Sequence, residues 1–296
     1  MPNLSLLAAV PTPFDHDGEL NLAAVEPLAA RLVAVGATGA FVTGTTGEFP
    51  SLSDDERRAL AARWCEVARG TSLEIVVHTG HTSARVAAAL GRHAADSGAA
   101  GVGSVAPYYL KPGNVELLTT WLHEVASATP DTPFFYYHFP VQTGVSLPCA
   151  PILEQAQATI PNLAGAKFTD TDGDDLRASL ALPGLRVFVG REAFWLDGLR
   201  LGASASIGAT VTLLGRELRA VAEAFCSGDG ARAEREQERV RAANGVLTRF
   251  GLAPSLKALL SRQGLDVGAP RLPFLALGDE ERAALFAAWD AWEAAT

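Results

Sequence analysis

The first residue type that suggests chemistry is lysine. Only three of the 24 basic residues are lysines, namely Lys111, Lys167 and Lys257. A desolvated lysine amine can act as a nucleophile, whereas an arginine guanidinium stays protonated. Lys167 ends the small apolar run 163–167, where its amine can attack a ketone and form an iminium ion. Such an ion lets an adjacent C–C bond break or form. The alternative is a structural ion pair with Asp170 or Asp172.

Hydroxyl side chains follow several other apolar runs, and they are Thr45, Thr46, Tyr109 and Tyr137. A hydroxyl can relay a proton between substrate and water while carrying no charge that opposes iminium formation. The glycines of Gly44-Thr-Thr-Gly47 can also turn backbone N–H groups toward a carboxylate, although the stretch lacks the lysine of a phosphate-binding loop. Packing as ordinary strand residues is the alternative for each threonine and tyrosine taken singly.

Three histidines raise a rival chemistry, in which a divalent metal ion polarises the substrate carbonyl. They are His78, His81 and His138, but they form no His-x-His pair, and the nearest carboxylates in sequence are Asp170 and Asp172. Hydrogen-bonded histidines at strand ends are the simpler interpretation. The stretch 101–106 matches a GxGxxA pattern but runs into a proline, so it does not indicate a dinucleotide. We therefore expect no metal and no organic cofactor.

The elements that position these residues alternate regularly along the chain. Eight short apolar runs alternate with longer segments of helical period, which predicts an α/β fold of eight βα units. The strands are predicted near 4–10, 39–43, 73–78, 100–106, 133–137, 163–167, 185–190 and 203–207. The helices between them are predicted near 21–35, 53–69, 82–96, 114–128, 149–158, 174–182, 193–201 and 211–226. This pattern favours a (β/α)8 TIM barrel, whose active site lies at the carboxyl ends of its strands.

A helical region follows the predicted barrel. Strand-like runs stop near residue 226, and Ala/Leu/Arg/Glu-rich segments continue near 229–249, 254–263 and 279–294. We predict a barrel that carries the active site over 1–226, with a C-terminal helical region packed on it over 227–296.

Composition narrows the classes of partner. The net charge of −9 provides no general attraction for nucleic acid or an anionic membrane. No apolar stretch reaches the roughly 18 residues of a membrane span, and the amino-terminal segment does not resemble a signal peptide. The cysteines, at 65, 149 and 226, are odd in number and widely spaced, so neither disulfides nor structural zinc is indicated. We expect a soluble cytoplasmic protein.

Several motifs in order resemble the dihydrodipicolinate synthase / N-acetylneuraminate lyase family of pyruvate-dependent class I aldolases. The matching motifs are Gly44-Thr-Thr-Gly-Glu48, Pro107-Tyr-Tyr-x-x-Pro112, Tyr137-x-x-Pro140 with Thr143-Gly144, Gly165-x-Lys167, and Gly202-Ala203 to Ile207-Gly208. The resemblance spans nearly the whole chain. It implies a TIM barrel with a helical C-terminal region, a lyase activity on pyruvate and an aldehyde, and a homotetramer.

The resemblance also assigns roles to residues. It implies that Lys167 is the Schiff-base lysine and Tyr137 the general acid/base, with Thr45 and Thr46 holding the keto-acid carboxylate and assisting the proton relay. Tyr109 matches a tyrosine at a subunit contact beside a neighbouring active site, and we count it with the catalytic residues. The other predicted substrate-binding residues are Gly47, Thr169, Gly190, Glu192 and Ile207.

Within the family, the stretches 136–144 and 167–172 resemble the N-acetylneuraminate lyase branch. The synthase branch has an arginine two residues after the motif proline, where this chain has Gln142. Sialic-acid lyases place Asp-Glu after the glycine of strand seven and a serine after that of strand eight. Here those stretches contain Arg191, Glu192-Ala193 and Ala209. Arg191 suggests a second anionic group on the substrate.

The sequence therefore favours a lyase acting on a 2-keto-3-deoxy sugar acid. A dihydrodipicolinate synthase and a keto-deoxy sugar acid dehydratase are alternatives within the family. A non-catalytic 2-keto-acid sensor is the alternative of another class, although a pure binder needs neither Lys167 nor Tyr137.

Overall fold

The computed structural model describes residues 4–295, which form a closed barrel of eight parallel strands. The strands are β1 (Ser5–Ala9), β2 (Gly39–Val42), β3 (Glu74–His78), β4 (Gly101–Val105), β5 (Phe134–His138), β6 (Leu163–Phe168), β7 (Arg186–Val189) and β8 (Ala205–Gly208). Each strand pairs with the next along the chain, and β8 pairs with β1. The predicted TIM barrel is confirmed, with all eight strands where the apolar runs indicated.

Alternation along the strands divides the buried side chains into two clusters. Large residues such as Leu7, Phe41, Phe135 and Phe188 form one cluster, which fills the barrel interior. Their strand neighbours join the larger cluster between the sheet and the surrounding helices. Close strand approach depends on Gly165, which has φ 147°, because an added Cβ there would lie 1.9 Å from the Arg186 carbonyl oxygen.

The helices surround the barrel and continue beyond it. They are α1 (Val25–Ala34), α2 (Asp54–Ala68), α3 (Ala84–Asp96), α4 (Val115–Ala126), α5 (Pro140–Thr143), α6 (Cys149–Thr159), α7 (Gly173–Leu180), α8 (Trp195–Arg200), α9 (Val211–Cys226), α10 (Gly230–Arg249), α11 (Leu252–Arg262) and α12 (Asp279–Ala294). The Ser53 hydroxyl accepts from the Glu56 N–H and the Glu56 carboxylate accepts from the Ser53 N–H, so a capping box starts α2.

The helix prediction differs from the structure in four places, one of which is a 3-10 turn over Phe49–Ser51 that no predicted helix covered. The four-residue α5 was not among the predicted helices, and Pro140 starts it because proline is preset for the first helical turn. The predicted helices at 21–35 and 193–201 begin instead with 3-10 turns over Leu22–Ala24 and Glu192–Phe194. Both turns lie just before the α-helices that the periodicity predicted.

The C-terminal helices pack on the barrel. Helix α10 packs against α9 and α12, and Val240, Leu256 and Leu285 belong to the same buried cluster as the outward-facing barrel residues. The division at 226/227 stays a prediction, and its outermost residues 1–3 and 296 lie outside the described part of the chain. Among residues 4–295 there is no helix with both the length and the apolar character to cross a bilayer.

Candidate active site

Lys167 lies on β6, directly opposite Tyr137 of β5 in the strand register. The lysine is 4% exposed, and its Nζ lies 4.2 Å from the centroid of the Tyr137 ring and 4.6 Å from that of Phe41. No carboxylate within residues 4–295 forms an ion pair with it. Asp172 accepts hydrogen bonds from the first N–H groups of α7, and Asp170 lies 3.8 Å from His138. The structural ion pair considered for Lys167 is therefore absent from the described chain.

The turn after β2 brings the Thr45 hydroxyl to Tyr137. The Thr45 Oγ1 and the Tyr137 hydroxyl lie 3.4 Å apart. Two non-glycine residues with positive φ flank the turn, Thr43 at 54° and Glu48 at 56°. This backbone conformation is costly, particularly for a β-branched residue, and persists only where surrounding contacts fix it. Thr43 Oγ1 donates to the Val42 and His78 carbonyls, and Thr12 Oγ1 donates to the Gly47 carbonyl at 2.6 Å.

Glu48 anchors the far end of this turn. Its carboxylate is buried and pairs with the Lys257 Nζ of α11 at 2.8 Å, and it accepts from the Arg271 N–H at 2.8 Å. Burial lowers the pKa of Lys257 below its usual value, although the nearby Glu48 carboxylate opposes that shift. The lysine side chain also lies over the Phe14 ring at 4.2 Å. Thus the second buried lysine has a structural partner, unlike Lys167.

His78 completes an aromatic wall beside Tyr137. Its ring lies edge-on to Tyr137 and Phe49, with centroids 5.7 and 4.6 Å away. Burial, with nearby Arg57, holds the pKa of His78 well below its usual value. The ring is therefore neutral near pH 7, and because a carbonyl only accepts, its Nδ1–H donates to the Thr43 oxygen at 2.8 Å. This hydrogen bond from His78 helps to fix the backbone of the turn after β2.

Most of the predicted site residues line one cavity of about 270 Å³ at the carboxyl ends of the strands. The predicted residues in its wall are Thr45, Thr46, Tyr137, Lys167, Thr169, Gly190 and Glu192. Gly47 lies in the adjoining turn, and Ile207 belongs to the cluster inside the barrel. Tyr109 is 82% exposed and does not line the cavity. The roles of all these residues stay predictions.

Glu192 has a structural contact that its sequence position did not indicate. Its Oε1 accepts from the Thr210 N–H at 2.6 Å and from the Thr210 hydroxyl at 2.8 Å. These bonds connect the end of β7 to the start of α9. The Gln237 amide of α10 donates to the Glu192 carbonyl at 3.1 Å, so the backbone of this stretch is held by the C-terminal region.

The same region supplies cavity residues that the sequence reasoning missed. Asn244 and Thr248 of α10 and Leu252 at the start of α11 line the cavity, as does Phe139 after β5. Asn244 and Thr248 are four residues apart and share one helix face. That spacing was a usable signal for a polar wall, but nothing local indicated that this face of α10 reaches the barrel mouth.

The three strand-end histidines do not converge on a common metal position. His78 is bonded to Thr43, the His81 Nδ1 accepts from the Ser83 N–H at 2.9 Å, and His138 lies beside Asp170 and Asp175. In residues 4–295 the one group of three or more possible ligand residues whose ligand atoms lie within 4.8 Å of one another is 15–17, in the loop after β1. The geometry therefore does not favour the metal-dependent alternative at the strand ends.

The fold is a closed (β/α)8 barrel, and its strand ends hold a buried lysine without an ion-pair partner in residues 4–295, close to hydroxyl side chains. This arrangement is that of a barrel enzyme whose active site contains a lysine amine. The chain belongs to the dihydrodipicolinate synthetase family, whose profile matches residues 3–291. The family resemblance predicted from the motifs is confirmed.

Relatives refine this assignment. The chain is 35% identical to the N-acetylneuraminate lyase of Gallus gallus over 281 residues, which cover 93% of this chain and 91% of that protein. It is 36% identical to the Mus musculus enzyme of the same name over 274 residues, or 90% and 86% of the two chains. The solved structure of Proteus mirabilis N-acetylneuraminate lyase is 32% identical, with a TM-score of 0.94 over 98% of both chains. These findings support a pyruvate-dependent class I aldolase resembling N-acetylneuraminate lyase, an enzyme of the lyase class.

Proposed function

We propose that Lys167 forms a Schiff base with the ketone of a 2-keto acid. The observation that carries this proposal is a buried lysine amine with no carboxylate partner in residues 4–295, beside the Tyr137 phenol. The amine adds to the ketone carbon, and water leaves to give the iminium ion. The C3–C4 bond then breaks as the C4 hydroxyl loses its proton, which gives an aldehyde and an enamine. Protonation at C3 and hydrolysis release pyruvate and regenerate the amine.

Tyr137 moves the proton in this proposal. Its hydroxyl lies within hydrogen-bond reach of Thr45, so a proton can pass between the substrate and the threonine hydroxyls. Thr45, Thr46 and the Gly47 backbone hold the keto-acid carboxylate, because the fixed turn after β2 directs polar groups to the same place as the amine. This turn is ordered before the substrate arrives, so binding pays little ordering entropy.

The distal part of the substrate is proposed to be a 2-keto-3-deoxy sugar acid chain. The wall opposite the turn contains Thr169 and Glu192 with the Gly190 backbone, and α10 adds Asn244 and Thr248. Hydroxyl, amide and carboxylate groups suit a chain of several hydroxyls. Synthase activity on a carboxylated aldehyde is less well supported, because neutral Gln142 replaces the arginine expected in that branch.

Assembly and location complete the proposal. Tyr109 and Leu110 are 82% and 81% exposed, which supports burial of this loop in a homotetramer. There Tyr109 would approach a neighbouring active site, and Ile207 would support the strand end beneath the substrate. A cytoplasmic location is supported by three free cysteines, at 65, 149 and 226. The proposed reaction needs no separate cofactor, because the iminium ion formed on Lys167 is the electron sink.

Borohydride trapping tests the central step. Incubation with pyruvate and borohydride should add one reduced pyruvate to the peptide that contains Lys167, and Lys167→Ala should abolish both the adduct and the turnover. Lys111→Arg is the matched control, because it removes a primary amine outside the cavity but keeps the charge of this loop, and it should leave both unchanged. A pyruvate adduct on another lysine, or full activity of Lys167→Ala, would refute the proposal.

A further inference from the structure

Arg191 contributes a positive charge to the candidate active site that none of the proposed chemistry uses. It follows β7, and its backbone carbonyl accepts from the Phe194 N–H at 3.0 Å, which closes the 3-10 turn before α8. The side chain is half-buried and lines the same cavity as Lys167. Its Nε is buried without a hydrogen-bond partner in residues 4–295. No carboxylate of that part of the chain lies within ion-pair distance of it.

A second polar atom without a partner lies at the next strand end. The hydroxyl oxygen of Thr169, after β6, is buried and lacks a hydrogen-bond partner among the described residues. It lies over Gly190, since a Cβ added to that glycine would be 2.0 Å from it. Buried polar groups are nearly always hydrogen-bonded, so two such atoms in one cavity wall mark it as a place where a polar ligand would gain hydrogen bonds.

The neighbouring carboxylates have other partners. Glu192 Oε1 accepts hydrogen bonds from the Thr210 N–H and the Thr210 hydroxyl. Asp197 Oδ2 lies 3.4 Å from Arg241 Nη2. Asp170 faces His138 at 3.8 Å. The positive charge of Arg191 is therefore not neutralised by a close ion pair within the described chain.

We infer that Arg191 binds a second anionic group, at the end of the substrate remote from the ketone. This inference rests on the proposed function and narrows its substrate to a 2-keto acid with a distal carboxylate or phosphate. The planar guanidinium can form two parallel hydrogen bonds to either group, and Thr169 can donate a third. Ala209 and Leu252 form apolar parts of the same wall and limit the competing water.

Matched aldehydes test the inference in the condensation direction with pyruvate. Tartronate semialdehyde and D-glyceraldehyde differ only in a carboxylate in place of a hydroxymethyl group, and D-glyceraldehyde 3-phosphate supplies the phosphate arm. D-Glucuronate and D-glucose are a second acidic and neutral pair, with a longer carbon chain and the same difference between carboxylate and hydroxymethyl group. We expect kcat/KM to be on the order of 10- to 100-fold higher for an acidic aldehyde than for its neutral partner, the range of a charge-assisted hydrogen-bonded pair. The acidic aldehyde with the higher kcat/KM then shows whether Arg191 binds a carboxylate or a phosphate.

Variants assign the preference to the guanidinium. In Arg191→Gln the ratio of acidic to neutral kcat/KM should fall to near one, and Arg191→Lys should retain part of it. Arg249→Gln is the matched control, because it removes the same charge from an exposed arginine outside the cavity and should leave the ratio unchanged.

Borohydride trapping of pyruvate separates this inference from the proposed function. If Lys167 traps pyruvate but neither acidic arm is preferred, the inference about Arg191 is wrong and the Schiff-base proposal stands. An undiminished preference in a trapping-competent Arg191→Gln also overturns it. If no adduct forms on Lys167, the proposed function fails. If Arg191→Gln does not fold, the wild-type preference and the Arg191→Lys ratio still decide the outcome.

Discussion

Replacement of Lys257 by methionine should destabilise the protein strongly. Methionine retains most of the apolar stem but removes the ammonium, so the Glu48 carboxylate, 0% exposed in its side chain, loses its cation. The Arg271 N–H would remain as its hydrogen-bond donor. A buried charge without its counter-charge costs much more than an exposed one, because protein cannot replace the lost hydration.

The size of the effect follows from the geometry. At the observed separation of 2.8 Å, two unit charges attract by about 6 kcal/mol at an effective dielectric constant of about 20. Methionine also removes the several kcal/mol spent on desolvating the ammonium, which offsets part of this loss. The net decrease in the free energy of unfolding should therefore be about 3–5 kcal/mol.

Urea unfolding of three variants measures the effect. Lys111→Met is the matched control, because the same change at an exposed site should alter stability by no more than about 0.5 kcal/mol. Glu48→Gln combined with Lys257→Met should recover about 2 kcal/mol or more of the loss, since no buried charge then remains unpaired. If Lys257→Met unfolds within about 1 kcal/mol of Lys111→Met, the argument from the buried pair is wrong.

Two further predictions concern Tyr137 and His78. Tyr137→Phe should lower kcat by about 10²- to 10⁴-fold in steady-state assays of pyruvate release. Tyr136→Phe is the control, and because the Tyr136 side chain packs on the outward face of β5, away from the barrel interior, it should change kcat much less. The pKa of His78 lies below its ordinary 6.5, so below that pH the unfolded chain binds a proton that the folded protein does not. Stability should therefore fall as pH drops below about 6.5, by about 1.4 kcal/mol per unit from this group. His78→Asn, whose amide can still donate to Thr43, should show a shallower fall in denaturant titrations from pH 7 to 5; an identical slope would contradict the assignment.

The barrel was predictable because local patterns determine it. Each strand is a short apolar run, and the helices have a longer period, with side-chain caps at the start of several, such as Ser53, Asn114 and Asp172. Eight such units predict a closed barrel, and because its strands are parallel, their carboxyl ends all lie at the same end of the barrel. The adjacency of Lys167 and Tyr137 follows from this, since β5 and β6 are sequential neighbours.

The long-range parts of the site were not predictable in the same way. The pairing of Glu48 with Lys257 joins residues more than 200 positions apart, and neither side has a local signature of the other. The polar face of α10 has a helical spacing, but its direction depends on packing against α9. The positive φ of Thr43 could not be predicted from the sequence either, because threonine favours the extended conformation of a strand. In the structure a hydrogen bond to the His78 carbonyl of β3 overrides that preference.

The cavity wall combines two structurally separate sources. Lys167 and Tyr137 lie on barrel strands, whereas Asn244 and Thr248 belong to a helix that follows the eight βα units in the sequence. Exchange of residues on that helix can reshape the surface proposed to bind the substrate chain without moving the Lys167 amine or the Tyr137 phenol. The proposed chemistry and the proposed substrate selectivity can therefore diverge independently during evolution, and a library confined to α10 leaves Lys167 and Tyr137 unaltered.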